Sequence, residues 1–523
     1  MKNLLKCLFL SACLIAFHPF RVAAQPGIYY NVLQYGAKND SSQIATEAIK
    51  KAITAAVKTG GGTVYFPPGK YRTGPIHLKS NITILIDAGA ELHFSDNFDD
   101  YLPMVSSRWE GTTVTNFSPL FYAYKAENIT IRGRGLIDGH GKKWWDFHHK
   151  LYDKSVPRSK WQEEFVRNNK DVVRPDQPTM FDRGFLRPPF IQPMYCKNVL
   201  IEGITIRNSP FWTVNPEFCE NVTVTGVTIN NPHSPNTDGI NPESCKYVHI
   251  ANCHISVGDD CITIKSGKDA DGRKINLPAE NYTITNCTML AGHGGVVIGS
   301  EMSGGVRKIS ISNCIFDGTD RGIRIKTARG RGGVVEEIRV DNIIMKNIRE
   351  QAIVLDMHYA KMQPEPVSER TPAFRNIHFS NITAEAKQAG YLNGLEEMPI
   401  DNVTFTDINM TSEAGFLVKE AQNVEFHNVS VSTKAGPAIV AESVKFIEID
   451  GVKTAAPHPN TPVVELTNAE DAFVYDCFPK LGTDVFLKLN GEQTQHITVS
   501  GNNFRHVKTP VLKEGKLESL KLD

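Results

Sequence analysis

Apolar and polar residues alternate in short stretches that recur along almost the whole chain: NITIL from Asn81, NITIR from Asn128, NVLIEGITI from Asn198 and NVTVTGVTI from Asn221. The pattern continues in YVHIANCHI from Tyr247, NYTITNCTM from Asn281, KISISNCIF from Lys308 and EIRVDNIIM from Glu337. Later copies are NIHFSNITA from Asn376, NVTFTDINM from Asn402, NVEFHNVSV from Asn423, FIEIDGVKT from Phe446 and HITVSGNNF from His496. Alternation predicts strands with one buried face, and the Asn or Gly between the two apolar pairs marks a bend onto another face. Val199, Val222 and Val248 are 23 and 26 residues apart. Such β-rich units without intervening helices predict a solenoid of parallel coils, each burying its apolar face on the next. An irregular β-sandwich is the competing fold.

Two segments break the pattern. Ser41 to Lys58 has a polar start, apolar residues at Ile44, Ala48, Ile49, Ala52, Ile53 and Val57, and a GGG stretch behind it. It predicts a helix that covers the exposed first coil, as solenoid ends require. Gly139 to Pro189 carries Trp144, Trp145, Trp161 and many charges where one coil's worth of chain would suffice. It is expected to be an inserted excursion on the binding face, closing one end of a groove. The alternative is a flap packed on the outside.

The 523 residues would ordinarily suggest several domains, but the repeat makes residues 25–523 one solenoid domain. Ahead of it, Lys2 and Lys6, an apolar run from Cys7 to Phe17 and Val22-Ala23-Ala24 predict an export signal cleaved after Ala24. The protein is then expected to be secreted or periplasmic. A lipoprotein reading at Cys13 is disfavoured because only about four apolar residues precede it after Lys6. No later apolar stretch approaches the ~18 residues that span a bilayer. Two of the ten cysteines leave with the signal and the others are scattered, so disulfides do not hold the fold together. A formal net charge of zero argues against a general nucleic-acid or membrane binder. An anionic ligand must be met by a local basic cluster.

Candidate chemistry appears on counting from each strand's anchor. Val248 to Asp259 and Tyr282 to His293 are both 11 positions, so these two side chains occupy corresponding places on successive coils. Asp238 lies 16 after Val222, and Arg324 and Lys326 lie 15 and 17 after Ile309. Coils stack at about 4.8 Å, which brings these five residues, with Asp260, into one patch. A single Asp in such a turn usually bonds its own backbone. Asp259 beside Asp260, with Asp238 one coil away, is a costly stack of like charges that points to function. Calcium is the competing ligand for clustered carboxylates, but Arg324 and Lys326 suit an anionic substrate instead.

NTDGI (Asn236 to Ile240), GDDC (Gly258 to Cys261), GHG (Gly292 to Gly294) and RIK (Arg324 to Lys326), in that order, resemble the motifs of glycoside hydrolase family 28, the polygalacturonases. YGAKND near Tyr35, GGGTVYFPPGKY ending at Tyr71 and NSPFW from Asn208 extend the resemblance over nearly the whole chain. It implies a right-handed parallel β-helix that hydrolyses α-1,4-linked galacturonic acid in pectin with inversion, without metal or organic cofactor. Asp259 would be the general acid, Asp238 and Asp260 the pair that activates water, and His293 the group that tunes and holds the acid. Arg324, Lys326 and Asn236 would contact the substrate, the two cations through its carboxylate. An inverting pair is expected to stand about 6.5–9.5 Å apart, and crowding by its neighbours is expected to keep a proton on Asp259. The expected partner is a pectic polysaccharide or oligogalacturonide, and the expected state is a monomer acting from the chain end. Other readings are a hydrolase of decorated pectin such as rhamnogalacturonan or xylogalacturonan, a calcium-dependent lyase, and a non-catalytic pectin-binding β-helix.

Overall fold

The computed structural model describes residues 29–150, 153, 155–172, 186–231, 234–514 and 518–522; the export segment expected at 1–24 lies outside them. Its strands wind as a right-handed parallel β-helix, the hand that parallel crossovers adopt. Val199, Val222, Val248, Tyr282, Ile309, Ile338, Ile377 and Val403 pair neighbour to neighbour in one buried column. These are the anchor positions of the repeat. The bends fall where the sequence places them: Gly203, Gly226, Asn252, Asn286, Asn313 and Asn342 all have φ between 53° and 73°. Asn is one of the few side chains that tolerates this left-handed conformation. The Asn that opens each repeat has a second use. Asn81, Asn128, Asn198 and Asn221 form an amide ladder with Nδ2 donating to Oδ1 at 2.7–2.8 Å, which ties one coil to the next.

Cys196, Cys219 and Cys245 stack inside the solenoid, as do Cys253, Cys287 and Cys314, and all eight described cysteines are buried free thiols. They pack as small apolar residues.

The capping helix α1 spans Thr46–Lys58 and buries Ala48, Ile49, Ala52, Ile53 and Ala56. Its expected start at Ser41 is wrong. Asp40–Ile44 is a strand paired with Gly69–Thr73, so backbone pairing overrides the helical pattern, and Ile44 and Val57 are left exposed.

The excursion contributes α2 (Lys142–Lys150) and α3 (Lys160–Asn168). Trp144 is buried between Phe98, stacked at 4.0 Å between ring centroids, and the edges of Tyr101 and Phe117. Asn169 closes on the backbone of Thr115, accepting from its N at 2.7 Å and donating to its O at 2.8 Å. Thr115 belongs to an antiparallel hairpin, Val105–Trp109 with Thr112–Asn116. The described part of the excursion therefore packs outside the coils and props this hairpin.

Candidate active site

The acids are aligned by the hydrogen-bond register of four coils. Ile240, Ile262, Val296 and Ile323 are successive partners, which stacks Asp238 on Asp260 two positions earlier. The same register sets His293 over Asp259, with His293 N donating to Asp259 O at 2.9 Å. Gly292 permits this close passage: its φ is +152°, and a Cβ there would lie 2.5 Å from Asp259 O. One oxygen from each of Asp238, Asp259 and Asp260 lies within 4.8 Å of the others.

Asp238 is 3% exposed and accepts at Oδ2 from Asn241 at 2.8 Å and Thr263 at 3.1 Å. Asp260 is 1% exposed, and its Oδ2 accepts from Lys326 Nζ at 2.9 Å. Its Oδ1 is buried with no partner. Asp259 is the most exposed of the three. Its Oδ1 is contacted by the Asp260 amide at 2.9 Å and His293 Nδ1 at 3.2 Å, whereas among the described residues Oδ2 has Asn236 Nδ2 alone, at 3.4 Å.

A cavity of about 750 Å³ opens above the acids. It is walled by the hairpin tip (Glu110, Thr112), by helix α4 (Asp269–Ile275) and by the loops around Arg329 and Tyr359. No described residue of 139–189 lines it. The described part of the excursion is thus not the wall itself; it supports the hairpin that is.

The cations stand differently from their sequence reading. Lys326 is buried on Asp260, with Nζ 5.2 Å from the Tyr359 ring centroid, so its first partner is an acid of the cluster. Arg324 lies over the same ring at 5.7 Å and is not among the cavity-lining residues. Lys265 went unnoticed. It occupies the register position of Lys326 two coils earlier, donates to Glu301 at 2.7 Å and lies 4.6 Å from the Trp212 ring centroid. The matching strings ITIK (262–265) and IRIK (323–326) are the signal that would have found it.

Residues 177–455, which hold the whole cluster, match the family model described as glycosyl hydrolases family 28. The chain belongs to this family. It is a glycoside hydrolase. A second model, rhamnogalacturonase A/epimerase, pectate lyase-like, matches residues 29–149. An endo-polygalacturonase of Pectobacterium carotovorum subsp. carotovorum is 32% identical over 391 residues, 73% of this chain and 88% of its own. A probable polygalacturonase of Vitis vinifera is 29% identical over 394 residues, 73% of this chain and 74% of its own. The crystal structure of a hyperthermoactive exopolygalacturonase from Thermotoga maritima superposes with a TM-score of 0.71 at 35% identity, covering 78% of this chain and 93% of that one.

The surroundings of Asp238 and Asp259 act on the two carboxyls of this family 28 site in opposite directions. Burial and then the charge of Asp259 push Asp238 well above the usual carboxylate range, with Lys265 offsetting part of the rise. Burial would also raise Asp259, but the His293 hydrogen bond and the Lys326 charge outweigh it and hold this carboxyl below its ordinary value. Burial and its neighbours thus favour the protonated form of Asp238, whereas His293 and Lys326 favour the ionised form of Asp259. The hydrogen bond to Asp259 raises His293 to about 8 against partial burial, so the imidazole is charged at neutral pH and loses its proton as pH rises through that value. In an Asp259→Asn variant the raising partner is gone. His293 should then titrate at or below about 6.5, as side-chain nitrogen NMR would show against a His293→Gln control.

Proposed function

We propose that this family 28 enzyme hydrolyses α-1,4-linked polygalacturonate from a chain end with inversion, using Asp259 as acid and Asp238 with Asp260 to activate water. The observation that carries the reading is the packing of three carboxylates, each with an oxygen within 4.8 Å of the others, on the floor of a walled cavity. Two hydrogen bonds of about 2.8 Å through one water span roughly that distance. Asp260 keeps a further acceptor, Oδ1, without a hydrogen-bond partner among the described residues. When substrate covers the cluster, the proton of Asp238 passes through a bridging water to Asp259 Oδ2, which delivers it to the glycosidic oxygen. Asp238, now ionised, joins Asp260 in taking a proton from the attacking water, and the cluster ends the cycle with the one proton it began with.

The nearest-oxygen spacing is shorter than the about 6.5–9.5 Å between carboxyl groups expected of an inverting pair. Inversion therefore rests on the family and on the third carboxylate, which lets two acids share the water. The α-1,4-galacturonate substrate is supported by the relatives' names and by Lys265, Lys268, Arg273, Arg329 and Arg331 along the cavity. These cations suit a polymer with a carboxylate on every sugar, and Lys326 on Asp260 with Lys265 beside the cluster disfavours a calcium ion there. The relatives include both endo and exo enzymes; the hairpin and α4 walls favour the exo mode. An exo enzyme should release mono- or digalacturonate from the first minutes, with viscosity falling slowly relative to reducing ends. Proton NMR of the first product should show the β-anomer. A rapid viscosity drop would mean an open cleft, and an α-anomer would mean a covalent intermediate.

Residues 1–24 are further read as a cleaved export signal ahead of a single catalytic domain beginning near Gln25. Intact mass of protein recovered outside the cytoplasm should match a chain starting there. No helix among the described residues is long and apolar enough to cross a membrane.

A further inference from the structure

The excursion ends at a residue that neither the motifs nor the register bring into the site. Arg187 is fully buried, its guanidinium 5.0 Å from the Phe211 ring centroid and 5.5 Å from that of Trp109, which stack on each other at 4.0 Å. Its fork grips two adjacent residues at once: Nη1 donates to Pro235 O at 2.7 Å and Nη2 to Asn236 Oδ1 at 2.8 Å. Nη2 also faces His148 Nε2 at 3.4 Å. Burial, then Arg187 itself, lowers His148 to about 3, so this ring stays neutral and accepts.

The grip settles which way the Asn236 amide points. Asn236 has φ +49°, a left-handed conformation that asparagine tolerates. With Oδ1 taken by a cation, Nδ2 is the end that faces Asp259 Oδ2. That oxygen is the one left to carry a proton, since the Asp260 amide and His293 occupy Oδ1. A reversed amide would place an acceptor there. It would take a hydrogen bond from protonated Asp259 and compete with the glycosidic oxygen.

We propose that Arg187 is a positioning residue for hydrolysis, acting through the orientation of the Asn236 amide on the proton-bearing oxygen of Asp259. The proposal rests on Asp259 being the acid. Lysine retains charge but cannot fork onto both acceptors. Arg187→Lys and Arg187→Met should each lower kcat on polygalacturonate on the order of ten- to a hundredfold, with KM within about threefold. The alkaline limb of the pH–rate profile, which reports the acid, should move to higher pH as the reversed amide holds the proton on Asp259.

The decisive test is a double-mutant cycle with Asn236→Ala, run below the unfolding temperature of every protein. If Arg187 acts through Asn236, its substitution has little further effect on kcat in the Asn236→Ala background. Equal losses in both backgrounds, or an unmoved pH profile, would overturn the proposal and leave Arg187 as structural support. Should Arg187→Met fail to fold, Arg187→Lys completes the cycle alone. Asp259→Asn run alongside separates the two readings: if it keeps wild-type turnover, the acid assignment fails, whatever the cycle shows.

Discussion

Asp259→Asn should lower kcat on the order of 10²–10⁴-fold, the contribution of a positioned general acid, while substrate affinity changes little. Asparagine nearly reproduces the shape of the carboxylate and retains an oxygen to accept from the Asp260 amide, now made at 2.9 Å. The register of the surrounding coils is set by backbone pairing that the substitution does not touch. What is lost is the only member of the cluster exposed enough to reach a glycosidic oxygen. Asp238 and Asp260 are only 3% and 1% exposed, held by Asn241, Thr263 and Lys326 on the floor of the cavity. Turnover on oligogalacturonides together with calorimetric binding would check this. A folded variant that turns over like wild type would remove Asp259 from the mechanism.

The largest structural effect is expected at Arg108. Its side chain is fully buried, 3.3 Å from Glu217 and 3.2 Å from Asp271, and it contacts Glu243 more closely still. It also donates to Gly111 O at 2.8 Å, within its own hairpin. One guanidinium thus fastens the hairpin to two coils and to α4, the elements that wall the cavity. Glu217 is pushed well above the usual carboxylate range by burial and by Glu243, so removing the cation leaves a pair of acids that cannot both ionise. Arg108→Met should weaken the local anchorage by about 3–5 kcal/mol, the usual cost of orphaning a buried charge. A long solenoid need not unfold in one step, so the measurement is hydrogen exchange. Residues 105–116 and 269–275 should lose protection while the coils after Val334 keep theirs. Products should shift toward longer oligomers as the wall loosens. Unchanged protection in the hairpin would show that α3, through Asn169, holds it unaided.

The coils and the acid cluster were legible because both follow a period. Anchor valines, bend asparagines and the equal spacings to Asp259 and His293 are repeats of one unit, and repeats survive without knowledge of the folded shape. The walls were not legible, for a physical reason. Arg108 lies outside the repeated strings, and its partners Glu217, Glu243 and Asp271 lie more than a hundred residues away. Helix α4 is seven residues, DADGRKI, with a glycine and no apolar face. Gly272 is needed there because a Cβ would lie 2.6 Å from the Gly267 carbonyl carbon, and Arg331 holds Asp269 at its start. Nothing in such a segment announces a helix until its neighbours are in place. The opposite shifts of Asp238 and Asp259 were hidden for a related reason: they depend on where His293, Lys326 and Lys265 stand, which only the folded coils decide.

The alignment of the acids has a consequence for how such a site tolerates change. Asp238 and Asp260 are 22 residues apart and Asp259 and His293 are 34 apart, yet each pair meets one coil over because the strands between them are paired. The distance that matters chemically is therefore recorded in backbone pairing, and the lengths of the intervening loops are free to drift. Whole segments such as α4 can enlarge between coils without displacing a catalytic oxygen. A single residue inserted inside a paired strand such as Ile262–Ile264 is a far smaller edit, but it would turn the side chains that follow it in that strand onto the other face.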